Sequence, residues 1–301
     1  MSLPLPSAQT EVPHRQGAGA HAAPVPRRRG VPHALQALAA IVSRELFKFA
    51  RQYGRLASAV VRPLLWLAVF AAGFRNVFGV AISEPYDTYV PYDVYIAPGL
   101  VGMVLLFNGM QGSLAMVYDR EMGLMRLLLT APLPRAWVLF AKLVATAVLS
   151  LAQAVVFVFV AWLLGTELPV FGSQTPQVLL AAVCAALMMA ALGLLLSVHI
   201  KQLENFAGTM NFVIFPMYVI STALYPLWKL EESGATWVWR VAQFNPFTHA
   251  VEWLRFALYG KDAGVSPWVV LGTLALCFAL AAWGYDPQRG FGQLVKRGGG
   301  A

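Results

Sequence analysis

The sequence predicts an all-α integral membrane protein with six transmembrane helices and both termini on the cytoplasmic side. Two observations set the class. Of 301 residues, 58% are hydrophobic and only 12% are charged, with a mean hydropathy of +0.62, whereas a soluble globular domain carries about 25% charged residues and needs them to cover a water-facing surface. The apolar residues are also gathered into runs of spanning length, roughly 20 residues each. A third observation sets the orientation. Most of the lysines and arginines behind the net charge of +8 lie in the N-terminal quarter and at span ends on one side, which is the positive-inside signature. With the charge so placed and no nucleic-acid-binding fold signature, nucleic acid is set aside as a partner.

In chain order, residues 1–32 are rich in Pro, Ala, Gly and His and end on Arg27-Arg28-Arg29. They lack the apolar run of a secretory signal. Arg44, Glu45 and Lys48 interrupt the stretch after the three arginines, against a twin-arginine export signal. The segment reads as a disordered cytoplasmic tail. Residues 33–55 have helical periodicity, with Leu35, Leu38, Val42, Leu46, Phe49 and Tyr53 on one face and Arg44, Lys48, Arg51 and Arg55 opposite. That pattern predicts a helix lying in the inner headgroup layer. The transmembrane domain then occupies 56–289, with spans at 56–74, 95–117, 136–165, 177–200, 206–226 and 267–285. Residues 290–301 form a cytoplasmic C-terminal tail. The loops agree with this topology: Arg75–Val94 carries one arginine against Glu84, Asp87 and Asp93, and Thr166–Pro176 carries only Glu167. Cys184 and Cys277 fall inside apolar runs and read as small core residues.

The last external connection, Leu227–Ser266, holds Trp228, Trp237, Trp239, Phe244, Phe247 and Trp253, an interfacial aromatic set. Asn245-Pro246 is a helix start, with Asn as N-cap and Pro in the first helical position, and Gly260 is a C-terminal cap. Pro246–Tyr259 is therefore predicted as an outer-leaflet helix too short to span. His249, Glu252 and Arg255 share its polar face, as a structural cluster rather than a metal site.

Between the second and third spans, Tyr118–Lys142 is a short charged interruption that closes on Pro132-Leu133-Pro134-Arg135. Its charges alternate in sign (Asp119, Arg120, Glu121, Arg126), which suits a protein partner better than lipid headgroups. The spans hold Asn108, Gln111, Gln153 and Asn211 but no Asp, Glu or His near a midplane, where a gradient-driven carrier places its working charge. Arg62, Lys142 and His199 lie near inner span ends, where they can snorkel. No phosphate loop, metalloprotease pattern or paired-carboxylate site is present in the sequence. A multi-span protein with no energy source of its own is a channel, a scaffold, or the membrane half of a machine driven by another subunit. A mixed-charge inner helix with Leu and Met anchors fits docking into a soluble partner.

The order of basic amphipathic helix, two spans, Arg120-Glu121-Met122-Gly123 with Arg126, the Pro132-Leu133-Pro134-Arg135 turn, four further spans, and Asn245-Pro246-Phe247-Thr248 before Arg255 resembles the ABC-2 type permeases. These are the membrane subunits of bacterial ATP-driven exporters, including the drug-export and nodulation-factor-export branches. The resemblance covers roughly His33 to Arg289. It implies a homodimer, or a pair with a related permease, in the bacterial inner membrane, bound to two copies of a separate ATPase subunit. ATP would bind there, and this chain would hold no cofactor or metal and would not itself be an enzyme. Asp119, Arg120, Glu121, Met122, Gly123, Met125 and Arg126 would match the family's coupling helix. Arg44, Glu45, Lys48 and Arg51 would lie on its connecting helix. Asn245, Pro246, Glu252 and Arg255 would belong to its partly re-entrant external helix. The long Pro-rich tail has no counterpart in that pattern.

On this reading, Glu121 and Arg126 are electrostatic contacts, Met122 and Met125 adaptable apolar ones, and Gly123 permits close backbone approach. Arg120 and Arg126 also read simply as topology determinants. Substrate passes along the dimer interface, with Phe107, Asn108, Asn211 and Phe215 as candidate lining residues, although helix-packing residues have the same pattern. Two alternatives stand beside this one: a non-transporting scaffold that recruits soluble proteins through the same inner segments, and a gradient-driven carrier.

Overall fold

The computed structural model describes residues 31–51, 53–74, 92–122, 134–166, 168–200 and 202–285, and every regular element among them is an α-helix. In order these are α1 (Val31–Ala50), α2 (Tyr53–Phe74), α3 (Tyr92–Glu121), α4 (Arg135–Leu163), α5 (Thr175–His199), α6 (Leu203–Val219), α7 (Leu227–Glu232), α8 (Thr236–Phe244), α9 (Pro246–Leu258) and α10 (Ser266–Gly284).

Four of these are long and apolar enough to cross a membrane: Tyr92–Asp119, Ala136–Leu163, Thr175–His199 and Ser266–Gly284. They fall on the second, third, fourth and sixth predicted spans. The first predicted span falls on α2, which carries Arg62 and Pro63 within its 22 residues. The fifth falls on α6 and is shorter than expected. α6 has 17 residues, about 26 Å of helix against a hydrocarbon core of about 30 Å. Residues 220–226, assigned to the span from their hydropathy, are not helical. Pro216 lies in the last turn of α6, and Pro226 marks the start of α7.

The core is built on α3 and α5, which are apolar around most of their circumference. Small residues bring them together. A Cβ on Gly109 would lie 2.8 Å from the Met189 carbonyl carbon, and one on Gly193 would lie 2.8 Å from the Gly109 carbonyl oxygen. The two backbones therefore cross in direct contact, the device by which membrane helices gain packing when burial from lipid supplies none. Ala181, Ala185, Ala186, Ala190 and Ala191 continue the close-packed face of α5. α4 packs on α3, α5 and α1, α9 on α3, α5 and α10, and α2 and α6 flank α3. Cys184 and Cys277 are free, buried thiols. Large apolar side chains such as Phe159, Trp162, Leu180, Leu276 and Trp283 are left exposed, as a lipid-facing surface requires.

The predicted 33–55 helix is two elements. α1 ends at Ala50, and Tyr53 begins α2. Its inward face is also rotated from the expectation: Ile41 and Phe49 are buried while Leu35 is exposed. Glu45 is the reason. It sits on the face that meets α3 and α4, and its ion pairs fix the helix rotation.

Candidate functional site

Two buried cations mark the ends of α3, one beside Asp119 and one over Tyr95, positions about 36 Å apart along the helix. At the end of α3, Asp119 faces Lys142 from the antiparallel α4. Lys142 Nζ lies 2.7 Å from Asp119 Oδ2 and 3.1 Å from Glu45 Oε1. The side chains of Asp119 and Lys142 are 3% and 8% exposed. Arg44 donates to Glu45 at 2.8 Å and approaches Asp119 at 3.6 Å, and Lys48 lies 3.9 Å from both carboxylates. Burial pushes the Glu45 carboxyl up, but the Lys142 ammonium, with Arg44 and Lys48, outweighs it and holds Glu45 below its usual range. A second tie runs from Trp137 Nε1 to the Ala34 carbonyl at 3.1 Å. Together these contacts join α1, α3 and α4 into one unit. A cavity of about 440 Å³ opens beside the network, lined by Lys48, Phe49, Tyr118 and Leu149 among others.

At the start of α3, the cation is Arg255, whose side chain is 2% exposed. One guanidinium nitrogen bonds Glu252, another donates to the Thr222 carbonyl at 2.8 Å, and the group lies 4.2 Å from the centre of the Tyr95 ring. Its neighbours do similar work on the non-helical segment 220–226. Tyr92 donates to the Leu224 carbonyl at 2.6 Å, Tyr95 to Thr222, and Asn245 Nδ2 to the carbonyls of Met217 and Ile220 at 2.7 and 2.6 Å. Backbone that leaves the helix in an apolar setting needs such donors, because lipid offers none. The segment is pressed so closely on α3 that a Cβ at Gly99 would lie 2.3 Å from the Ala223 carbonyl oxygen.

Several expectations are met locally. Asn245 Oδ1 accepts from Phe247 N at 3.0 Å, so it is the N-cap of α9 with Pro246 in the first turn. Gly260 has φ +64° just past the helix end, a conformation that L side chains adopt at a cost. Others are corrected. Arg255 pairs with Glu252, as a structural cluster predicts, but His249 is not part of that pair. Arg255 is among the most buried large side chains, while His249 turns to Ser266 and the Gln243 carbonyl. Phe247 is core rather than interfacial, packed near Tyr218. Lys142 does not snorkel, because two carboxylates hold it inside. Asp119, grouped with the partner-docking residues, presents almost no surface. Arg44, Glu45 and Lys48 turn toward it, while Arg51 is exposed at the end of α1.

The segment read as a separate inner helix begins as the last turn of α3. Glu121 and Met122 are exposed, Met122 at 59%, and Glu121 Oε1 accepts from Leu203 N, the first residue of α6, at 2.9 Å. The Arg120 side chain, Gly123, Met125 and Arg126 lie outside the described residues. Of the candidate path residues, Phe107 and Asn108 meet Arg62 and Gln111 in a narrow cleft, with the Arg62 guanidinium 4.4 Å from the Phe107 ring centre. Asn211 and Phe215 are exposed on α6 and do not line that cleft. The role of Thr222 and its neighbours was not visible in the apolar run, although Ser221-Thr222 and Tyr225-Pro226 are the polar and Pro breaks that mark it. The Asp119–Lys142 pair had a signal too: an acid just past one span and a lysine just inside the next, antiparallel one.

Residues 36–259 match the family described as ABC-2 type transporter. The chain is 28% identical over 233 residues, 76% of each chain, to a protein of Porphyra purpurea named "Putative transport permease ycf38". It is 30% identical over 234 residues, again 76% of each chain, to the protein of that name in Cyanophora paradoxa.

Proposed function

The chain belongs to the ABC-2 type transporter family, and on that premise we propose that it is the permease subunit of an ATP-driven exporter. It works as a dimer, either with itself or with a related permease. Two copies of a separate ATPase subunit supply the energy, and ATP is bound there. In this reading six helices span an inner (cytoplasmic) membrane, α2 and α6 joining the four long apolar ones, with both termini on the cytoplasmic side. The distribution of Lys and Arg supports that orientation.

The observation that carries the proposal is the ion network around Lys142. A force delivered at the exposed end of α3, near Glu121 and Met122, meets a junction in which α1, α3 and α4 cannot move separately without leaving a charge buried and unpaired. ATP-driven closure of the ATPase pair displaces that junction as one body, and the dimer converts between inward-open and outward-open states. Substrate follows the dimer interface. Phe107 and Asn108 border it beside Arg62, and Asn211 and Phe215 face it from α6.

Copurification with the ATPase subunit, together with compound-stimulated ATP turnover, tests this. Glu121→Arg should abolish both. Glu121→Gln keeps an acceptor for Leu203 N and should retain ATPase binding in large part. If Glu121→Arg leaves copurification and transport intact, docking at this segment is wrong.

A further inference from the structure

We propose that a cavity at the other end of the bundle is a binding site for an organic cation. It has a volume of about 390 Å³ and lies between α3, α7, α8 and α9, within the range of small-molecule sites. Tyr95, Trp228, Trp239 and Phe256 supply aromatic surface, and Glu231 and Glu252 supply carboxylates. The positive charge of Arg255 is already engaged by Glu252, the Thr222 carbonyl and the Tyr95 ring. Among the described residues, Glu231, Glu252 and Arg255 leave the lining one negative charge in excess.

That composition selects among ligands. Aromatic walls attract a cation through the ring quadrupole, and most strongly where water is displaced. A bare metal ion would find too few oxygen donors for so roomy and apolar a space. An anion would meet two carboxylates. Thr222 adds an independent sign of a ligand. It lines the cavity, is 1% exposed, and its hydroxyl oxygen has no hydrogen-bond partner among the described residues. A buried hydroxyl left so is costly unless something satisfies it. Glu231 is exposed at the mouth on α7, placed to meet an ammonium group as it enters.

This site does not rest on the transport reading, because binding is measured on the permease alone. The full-length protein in lipid nanodiscs is titrated calorimetrically with benzyldimethylammonium, a cation whose N–H can donate, with benzenesulfonate as an anion of similar size and with methyl glucoside as a neutral polyol. Empty nanodiscs correct for partition into lipid. We expect saturable binding of the ammonium only, weakened at least tenfold by Glu231→Gln and by Trp239→Leu, and unchanged by Glu232→Gln, a neighbour outside the lining. Glu231 is exposed, so its neutral variant should keep the unfolding temperature of the parent. No saturable ammonium binding, a preference for the glucoside or the sulfonate, or affinity indifferent to both cavity variants would overturn the proposal.

Discussion

Lys142 and Arg255 are both nearly inaccessible cations, yet their surroundings differ in kind. Lys142 is held by two carboxylates from two other helices, Asp119 on α3 and Glu45 on α1, with Arg44 and Lys48 closing the network from its wetter side. Among the partners of Arg255 are a carboxylate of its own helix, an aromatic face and a backbone carbonyl. A compact ammonium suits the first task, since it joins helices by charge and tolerates adjustment of angle. A planar fork suits the second, since it must stack and donate in two directions at once. One end of the bundle is an ionic junction between three helices. The other is a brace that lets irregular backbone exist beside α3.

The comparison breaks most visibly at Asp119. Asp119→Ala leaves the Lys142 ammonium short of its nearest partner and should cost about 3–5 kcal/mol, read as a drop in unfolding temperature in detergent. The double variant Asp119→Leu with Lys142→Met removes both charges and should recover most of that loss. ATP-coupled transport should stay impaired in the double variant, which separates stability from the junction's work. Next is Arg255→Lys, which keeps the charge but cannot stack and fork together. A loss of about 2 kcal/mol is expected, near the value of hydrogen bonds to a charged group. If Arg255→Lys proves neutral, the brace is only a charge and the contrast with Lys142 fails.

Asn245 sharpens the picture at smaller scale. Asn245→Ala should cost about 1–2 kcal/mol for the lost cap alone. Asn245→Asp retains the cap acceptor for Phe247 N yet loses both donors to Met217 and Ile220, and it sets a carboxylate against two carbonyls. Unfolding by denaturant should therefore rank Asp below Ala, the reverse of a pure capping scale.

The smallest effect lies at Glu45. Its folded carboxyl pKa is held below 4.5, so the stability it contributes is complete above that unfolded value and is lost as pH falls through the lower folded one. The protection of the α1 amides against hydrogen exchange, corrected for the intrinsic pH dependence of exchange, should fall across that acid range. Glu45→Gln should flatten the response, at a cost of about 1 kcal/mol near neutrality.

The helices were legible in the sequence because their signals are local. Spans α3, α4, α5 and α10 are long apolar runs, and the Asn245-Pro246 start and Gly260 stop are residue-level signatures. What escaped was partnership. Hydropathy averages over a window and so carried the fifth span through Ser221 to Pro226, where side chains from α3 and α9 satisfy the backbone instead. Periodicity placed Arg255 with His249 because both lie on one side of α9, but a buried acceptor at Thr222 and the Tyr95 face decide where an arginine goes. Lys142 read as a snorkelling residue because its two acids lie 23 and 97 positions away in sequence.

The short α6 has a consequence of its own. In the six-span reading proposed above, a helix of about 26 Å meets a bilayer thicker than itself, and lipid alone would thin or draw in flanking polar groups to accommodate it. Here each end is held by protein: Leu203 N on Glu121 at one end, and the carbonyls of Met217 and Ile220 on Asn245 at the other. Its depth is therefore set by α3 and α9 rather than by hydrophobic matching, and thicker or thinner bilayers should shift α6 less than they shift α10, most of whose apolar surface lies outside the protein core.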